Sequence, residues 1–209
     1  MKKKAVKLFA LFLSMFFLLG FLTLPKFLVF DQILLKRGLY LTAERVEEGL
    51  FGFELRRGSL YGREKRLLTF DSMRVKLRPF YVSLDLNCNK GSLSIRRSFG
   101  GLELRAQNFG CLEGLGVVSA DLRVSEGIRG KIELFGTKVQ GLSLDRLEVS
   151  FKGRTFSAKA KAMGFELLGE GQVVPDPKDP LATKVNGQVL GGGLRLVISG
   201  SLYNLSVSR

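Results

Sequence analysis

The chain has 209 residues, 45% of them hydrophobic, with 25 glycines and neither histidine nor tryptophan. This length holds an N-terminal apolar segment and one further domain, and the composition favours glycine-punctuated strands over a helical bundle. The absence of histidine removes the commonest general base and metal ligand. Because the formal charge of +14 includes no block of five or six like charges and is spread along the chain after the first lysines, we expect solvated strand faces, no nucleic-acid partner and at most a weak attraction to anionic lipid head groups.

The first predicted element is a transmembrane helix, which together with a basic tip occupies residues 1–24. The run from Ala5 to Leu24 is apolar apart from Lys7 near its edge, and about 20 such residues cross the hydrocarbon core as a helix. The lysines before it place the N-terminus in the cytoplasm and the rest of the chain on the far side. A cleaved signal peptide is the alternative, but Phe21 to Lys26 offers no small residues for cleavage. We therefore expect an uncleaved, single-pass anchor.

A short amphipathic helix is predicted next, over residues 25–38. Its apolar residues recur at helical spacing, polar residues lie between them, and Gly38 marks its end. The apolar positions are Phe27, Phe30, Ile33 and Leu34. Such a helix could lie in the membrane interface or cap the open end of the following domain, and the sequence is compatible with both.

The two cysteines, Cys88 and Cys111, lack CxxC spacing and follow the predicted membrane crossing. Both features favour a structural disulfide in an oxidising compartment over metal binding or catalysis. Two reduced, buried thiols are the alternative.

Residues 39–209 are predicted to form a mainly β domain, a long antiparallel meander of about a dozen strands that curls into an open groove or half-barrel. Apolar and polar residues alternate with a period of two, which sends them to opposite faces of a sheet. The candidate residues facing the groove are Met73, Val75, Leu77, Val118, Ala120, Leu122, Val124, Leu147, Val149, Phe151, Phe156, Ala158 and Ala160.

An apolar face of this extent needs a cover, because no further helices are predicted to lie over it. The sheet could fold on itself as a sandwich or barrel. Alternatively it could stay open, with the groove holding acyl chains or a partner's strand and a free edge available for β-augmentation.

Catalytic motifs are not found in the sequence: it has no GxSxG, P-loop or HExxH pattern. The glycine-rich stretches Gly169 to Gly171 and Gly191 to Gly193 are interpreted as strand breaks or hairpin turns. We therefore expect no catalytic residue, no cofactor and no metal site, and a protein that is not an enzyme.

The layout of the chain resembles that of a known family. The resemblance is carried by the Leu24-Pro25 exit from the apolar run, by Phe30 to Leu35, by Gly38 to Ala43 and by Arg56 to Leu60, followed by the glycine-spaced meander. In these features the chain is similar to type II secretion system protein N and to the wider AsmA-like group.

The resemblance implies a bacterial inner-membrane protein with a periplasmic β-groove. Its expected role is that of an accessory subunit of the secretion apparatus, with other secretion or envelope proteins as partners. A lipid-binding or lipid-transfer protein is the alternative, but about a dozen strands at roughly 4.8 Å spacing extend only some 60 Å, which is short for a lipid bridge. A third option is similarity to the single-span lipopolysaccharide-export component with its small β-jellyroll.

Overall fold

The computed structural model describes residues 2–62, 65–113, 116–139, 142–162, 164–176, 182–191, 194–201 and 204–208. Two helices come first, α1 (Lys2–Thr23) and α2 (Lys26–Lys36). The strands follow in chain order: β1 (Tyr40–Gly49), β2 (Gly52–Tyr61), β3 (Arg66–Arg78), β4 (Tyr81–Cys88), β5 (Gly91–Ser98), β6 (Gly101–Phe109), β7 (Val117–Val124), β8 (Ile128–Val139), β9 (Leu142–Gly153), β10 (Thr155–Ala162), β11 (Phe165–Val174), β12 (Lys184–Gly191), β13 (Leu194–Ser201) and β14 (Asn204–Ser208).

The described strands form one 14-stranded antiparallel sheet in which each strand pairs with its neighbours in the sequence. Short turns between strands of this kind permit only antiparallel neighbours, because a parallel pair needs a long crossover. The sheet is open, with β1 at one edge and β14 at the other. The prediction of a mainly β, antiparallel meander is confirmed.

The N-terminal helix α1 covers 22 residues, where the sequence predicts a helix. It ends at Thr23, whose Oγ1 donates to the carbonyl oxygen of Leu19 at 2.9 Å, before Pro25 disfavours its continuation. In the described part of the chain, no helix combines the length and the apolar character that a membrane crossing requires. The transmembrane part of the predicted fold is therefore not confirmed.

The second helix, α2, lies against β1 and β2. The Glu48 carboxylate accepts hydrogen bonds from the backbone N–H groups of Lys26 (3.3 Å) and Phe27 (3.1 Å), which satisfies free donors at the helix N-terminus. The rings of Phe27 and Phe30 contact Phe53, with centroids 5.7 and 5.3 Å away. Of the two predicted locations, the structure therefore has α2 capping the sheet.

The predicted apolar stripe of α2 is wrong at one position, because Ile33 is exposed while Phe27 and Phe30 pack inward. Leu28, Val29 and Leu35 are also exposed. The helix is thus apolar on both sides, and only one side meets the sheet.

One face of the sheet, here called the inner face, carries a continuous apolar row across β1–β12. Residues that pair directly across an antiparallel ladder point to the same face, so the register defines the row. The row runs Val46, Leu55, Met73, Leu86, Leu93, Ala106, Ala120, Ile132, Val149, Ala158, Gly169 and Val189. Apart from glycine, every member is apolar.

A bulge in β6 lets two residues three apart bury on the inner face. Ala106 pairs with Ala120 and Phe109 with Val118, so that the register shifts between them. Asn108 takes a φ of 48° at this point, a left-handed conformation that asparagine tolerates better than most residues. Phe109, which is 1% exposed, thereby enters the core.

The opposite face, here called the outer face, pairs opposite charges across neighbouring strands of β2–β9 and carries the exposed apolar residues Leu168, Leu190 and Val197 on β11–β13. Arg74 Nη2 lies 2.6 Å from Glu54 Oε2, and Lys76 Nζ lies 3.6 Å from Asp85 Oδ2. Arg105 and Asp121 continue the pattern on β6 and β7 at 3.9 Å. Each exposed pair contributes little stability, about 0 to 1 kcal/mol, but the alternation disfavours a shift of register.

Candidate functional site

The register brings all of the predicted groove residues to the inner face. Met73, Ala120, Val149 and Ala158 belong to the row that crosses the sheet. A parallel row contains Val75, Leu122, Phe151 and Phe156. Leu77 and Val124 lie nearer one end of the strands, and Val118, Leu147 and Ala160 nearer the other.

The inner face is divided into a covered half and an uncovered half. In the covered half, β1–β7, most of the buried apolar side chains of the described sheet are found, and α2 lies against β1 and β2. The buried cluster there consists of Phe53, Leu55, Leu68, Phe70, Met73, Val75, Leu86, Ala106, Phe109 and Ala120, each at most 8% exposed. Among the predicted groove residues, Met73, Val75 and Ala120 are therefore core residues, and this half is filled by the protein itself.

In the uncovered half, the inner face of β8–β13, the same rows continue but most of their described residues are only half-buried, Val173 at 2% exposed being an exception. Val149, Phe151, Phe156, Ala158 and Ala160 are all half-buried. Substantial contacts in the described chain join only adjacent strands, apart from those of α2. No second layer of the described chain therefore covers this half as α2 covers β1 and β2.

Two glycines of the uncovered half lie close to one aromatic pair. The rings of Phe151 and Phe156 lie 6.2 Å apart. A Cβ atom at Gly171 would lie 2.6 Å from the Phe156 ring and 2.3 Å from the Asn186 carbonyl oxygen, and one at Gly187 would lie 2.7 Å from the same ring. Both glycines are therefore required beneath Phe156.

The interpretation of Gly169 to Gly171 as a strand break or turn is wrong. Both glycines lie within β11, paired with Val189 and Gly187 of β12. The signal in the sequence was their spacing of two, which places both on the inner face together with Gly187. Gly191 ends β12, while residues 192 and 193 lie outside the described residues.

The last strand, β14, leaves an edge of the sheet unpaired. It pairs with β13 from Ser201↔Asn204 to Val197↔Ser208, and its other side has no strand partner among the described residues. Unpaired edges template the addition of a further strand. The uncovered half and this edge meet at the same side of the sheet, so a single partner could contact both.

The predicted disulfide between Cys88 and Cys111 is confirmed, with a Cα–Cα distance of 6.5 Å. It ties the end of β4 to the segment after β6, and that segment folds back onto β3. There the Glu113 N–H donates to the Leu67 carbonyl oxygen at 2.9 Å, and Leu112 forms a β-bridge with Leu68. The disulfide therefore helps to close one end of the covered half.

Charged side chains on the outer face of β8 and β9 form an ion cluster. Lys131 Nζ lies 2.7 Å from Glu133 and 3.0 Å from Glu148, and Arg146 contacts both carboxylates at 3.1 and 3.4 Å. The hydrogen bond from Lys131 lowers the pKa of Glu133, and the reciprocal bond raises the pKa of Lys131. Since each carboxylate is neutralised by two cations, the cluster is a cross-strand clamp. No group of metal-binding type occurs in the described ranges.

The fold and this surface define a class of protein: an open antiparallel β-meander preceded by two helices, with half of its apolar face uncovered. The chain is 35% identical over 216 residues to an uncharacterized protein of Aquifex aeolicus (strain VF5), and the match covers 99% of each chain. The chain belongs to the same family as that protein. No family model matches it. No solved structure matches it either.

Proposed function

We propose that this protein is a membrane-anchored β-sheet subunit without catalytic activity that docks a partner protein of the bacterial cell envelope. In line with the resemblance to type II secretion system protein N, the partner is a component of a secretion apparatus. The β domain is then periplasmic and the N-terminal lysines are cytoplasmic. The observation that carries the proposal is the uncovered half ending at the free edge of β14.

Membrane attachment is supported by the surface of α1. Large apolar side chains are exposed on every side of the helix: Val6, Leu8, Phe9, Leu11, Phe12, Leu13, Met15, Phe16, Phe17 and Leu19. A helix that is apolar all round is stable when buried, either in a protein core or in lipid. Because α1 does not pack on the described sheet as α2 does, a bilayer is the environment that we propose for it.

Docking of a partner is supported by the contrast between the two ends of the sheet. At the β1 end, α2 covers the apolar face, and its N-terminus is held by Glu48. Towards the β14 end, most described residues on the inner face of β10–β12 are half-buried, and the outer backbone edge of β14 has no strand partner among the described residues. A partner strand added to β14 would extend the sheet, and its side chains could cover the neighbouring inner face.

A proline scan of β14 tests the docking proposal. In an antiparallel edge strand the N–H groups point alternately at the neighbouring strand and away from it. Of Leu205→Pro and Ser206→Pro, one therefore removes a bond to β13 and the other removes a donor from the free edge. Wild-type protein extracted in mild detergent should migrate as part of an assembly larger than the 23.2 kDa chain.

The proline variant that loses a donor at the free edge should dissociate from that assembly and keep the melting temperature of the wild type. The proline variant that loses a hydrogen bond to β13 should have a lower melting temperature. A wild-type chain that is monomeric after gentle extraction would contradict the proposal. The proposal would also be contradicted if both proline variants stayed in the assembly, since the β14 edge would then contribute nothing to partner binding.

Lipid binding is a second candidate, favoured by the half-buried aromatic pair Phe151 and Phe156 on the uncovered half. Acyl chains could lie along this surface because it is apolar. Native mass spectrometry of the full chain should then detect co-purified lipid, and Phe151→Ser should reduce the lipid-bound fraction. If the spectrum shows no bound lipid while the assembly is intact, lipid binding is excluded and partner docking remains as the proposed function.

A further inference from the structure

One end of the covered half carries a row of exposed apolar turns. In a sequential meander, every second turn lies at the same end of the strands. The turns β1–β2, β3–β4 and β5–β6 share such an end, here called the tip end. Their residues Leu50, Phe80 and Phe99 are 63%, 73% and 90% exposed. Neighbouring strands are about 4.8 Å apart, so successive tips lie roughly 10 Å from one another.

The tip end is also the end of the sheet nearest to the connection between α1 and α2. Glu48, next to the end of β1, holds the first N–H groups of α2. The start of α2, and with it the segment that joins α1, is therefore located beside the β1–β2 turn. This turn is fixed on the sheet by the hydrogen bond from the Leu77 N–H to the Phe51 carbonyl oxygen, at 2.6 Å.

Arginines flank the exposed phenylalanines at the tip end. The guanidinium carbon of Arg78 lies 5.8 Å from the centroid of the Phe51 ring, and that of Arg96 lies 4.0 Å from Tyr81. Further exposed arginines at this end are Arg97, Arg123 and Arg129. Among the described acidic residues near them, Glu48 binds α2 and Glu103 pairs with Arg123 at 3.8 Å, while Glu126 lies in the β7–β8 turn.

We infer that the tip end rests on an anionic lipid surface. In such a contact the apolar turn residues enter the head-group region, and the arginines beside them bind lipid phosphates. The inference rests on the membrane anchoring of α1 proposed above, because the anchor brings this end to the bilayer. The inference also gives the sheet a defined orientation on the membrane, in which the end that carries the Cys88–Cys111 disulfide points away from the bilayer.

A single fluorescent label tests the contact. Because Cys88 and Cys111 are bonded to each other and no free cysteine occurs among the described residues, an added cysteine is the site of labelling. Gly100→Cys places the label at the tip end, where a Cβ atom comes no closer than 3.9 Å to Ser98. Lys65→Cys is the matched control, exposed at the opposite end.

The full-length variants are reconstituted into vesicles of phosphatidylcholine and phosphatidylglycerol that contain a lipid with a nitroxide at the head group. The label at residue 100 should be quenched several-fold more strongly than the label at residue 65. Phe80→Ser should weaken the contact about tenfold, while Phe165→Ser, which removes a phenylalanine that is 63% exposed at the other end, should leave the quenching unchanged. Vesicles of phosphatidylcholine alone should give weaker quenching.

Flotation in alkaline carbonate separates the two proposals. Protein that floats with the vesicles but has an unquenched label at residue 100 would retain its anchor and refute the tip contact. Equal quenching at residues 65 and 100 would refute the orientation. Protein that does not float would refute the anchor and the tip contact together.

Discussion

Gly171 and Gly187 lie opposite each other in β11 and β12, beneath the ring of Phe156. Their role is steric, since neither has a φ in the left-handed region. An aromatic ring over paired glycines fills the space that two side chains would occupy and protects the backbone between them. The two glycines therefore fix the position of the Phe156 ring on the surface of the uncovered half.

Gly171→Ala should lower the free energy of unfolding by about 1 to 3 kcal/mol, because the new methyl group meets both the Phe156 ring and a backbone carbonyl. Gly100→Ala is the control, since its Cβ position is open. Urea unfolding of both variants measures the difference. A neutral Gly171→Ala would mean that the ring and the strand can shift freely.

Glu133 should stabilise the protein in a pH-dependent way. Its pKa is lowered from 4.5, chiefly by the hydrogen bond from Lys131, so its contribution is present above its ordinary pKa and is lost as the pH falls through the lowered value. The melting temperature of Glu133→Gln should lie below that of the wild type at about pH 7, and the gap should narrow by about pH 3. A gap that is constant with pH would assign the effect to packing.

At the scale of elements, α2 and the disulfide-bonded segment close the covered half at different places. α2 covers the apolar face at β1 and β2, and the segment containing Cys111 folds over the end of β3. The local sequence predicts that the first is a helix and that the second is a turn-like segment. It does not predict which strand either of them contacts.

Glu48→Ala should loosen α2, because two backbone donors at the helix N-terminus lose their acceptor. The expected cost is about 1 kcal/mol, or roughly 2 to 4 °C in melting temperature for a chain of this size. Glu44→Ala is a matched control on the same strand, since it removes only an exposed ion pair with Arg57 at 3.4 Å. Equal effects of the two changes would argue against the helix anchor.

Removal of the disulfide should destabilise the covered half. Cys88 and Cys111 are 23 residues apart in sequence, and closure of a loop of that length stabilises a fold by about 3 kcal/mol in the loop-entropy model. The double variant Cys88→Ser, Cys111→Ser should unfold at lower urea than the wild type. Addition of reductant should shift the wild type by a similar amount and leave the double variant unchanged.

At the scale of the whole molecule, the sheet is unevenly stabilised. The buried residues that form one cluster belong to β2–β7, whereas most described residues on the inner face of β8–β13 are half-buried, the buried Val173 being an exception. Opening a region with few buried apolar contacts costs less free energy. The molecule thus combines a firm half beside α2 with a more accessible half towards β14.

Hydrogen exchange should follow this division, with the slowest amides in β2–β7 and faster exchange in β10–β14. Mass spectrometry of the peptides from exchanged protein measures it. Binding of the proposed partner should slow the β12–β14 amides most. Equal protection across the sheet in the absence of a partner would mean that the apolar face of β8–β13 is already covered.

The sequence by itself determined the strand type and the face of each candidate residue. These follow from local rules: the pleat fixes a period of two, so that Met73 and Phe156 fall on the inner face wherever their strands lie. The number of strands was also close to the 14 in the described chain. Such features need no knowledge of distant contacts.

Only the tertiary structure decided which part of the apolar face is covered. Met73 and Phe156 follow the same pattern in the sequence, yet Met73 is core and Phe156 is half-buried. The difference arises from the docking of α2, the bulge at Asn108 and the return of the Cys111 segment to β3, each of which is a contact between separate elements. Burial is set by what lies opposite a residue in space, and alternation along a strand carries no record of it.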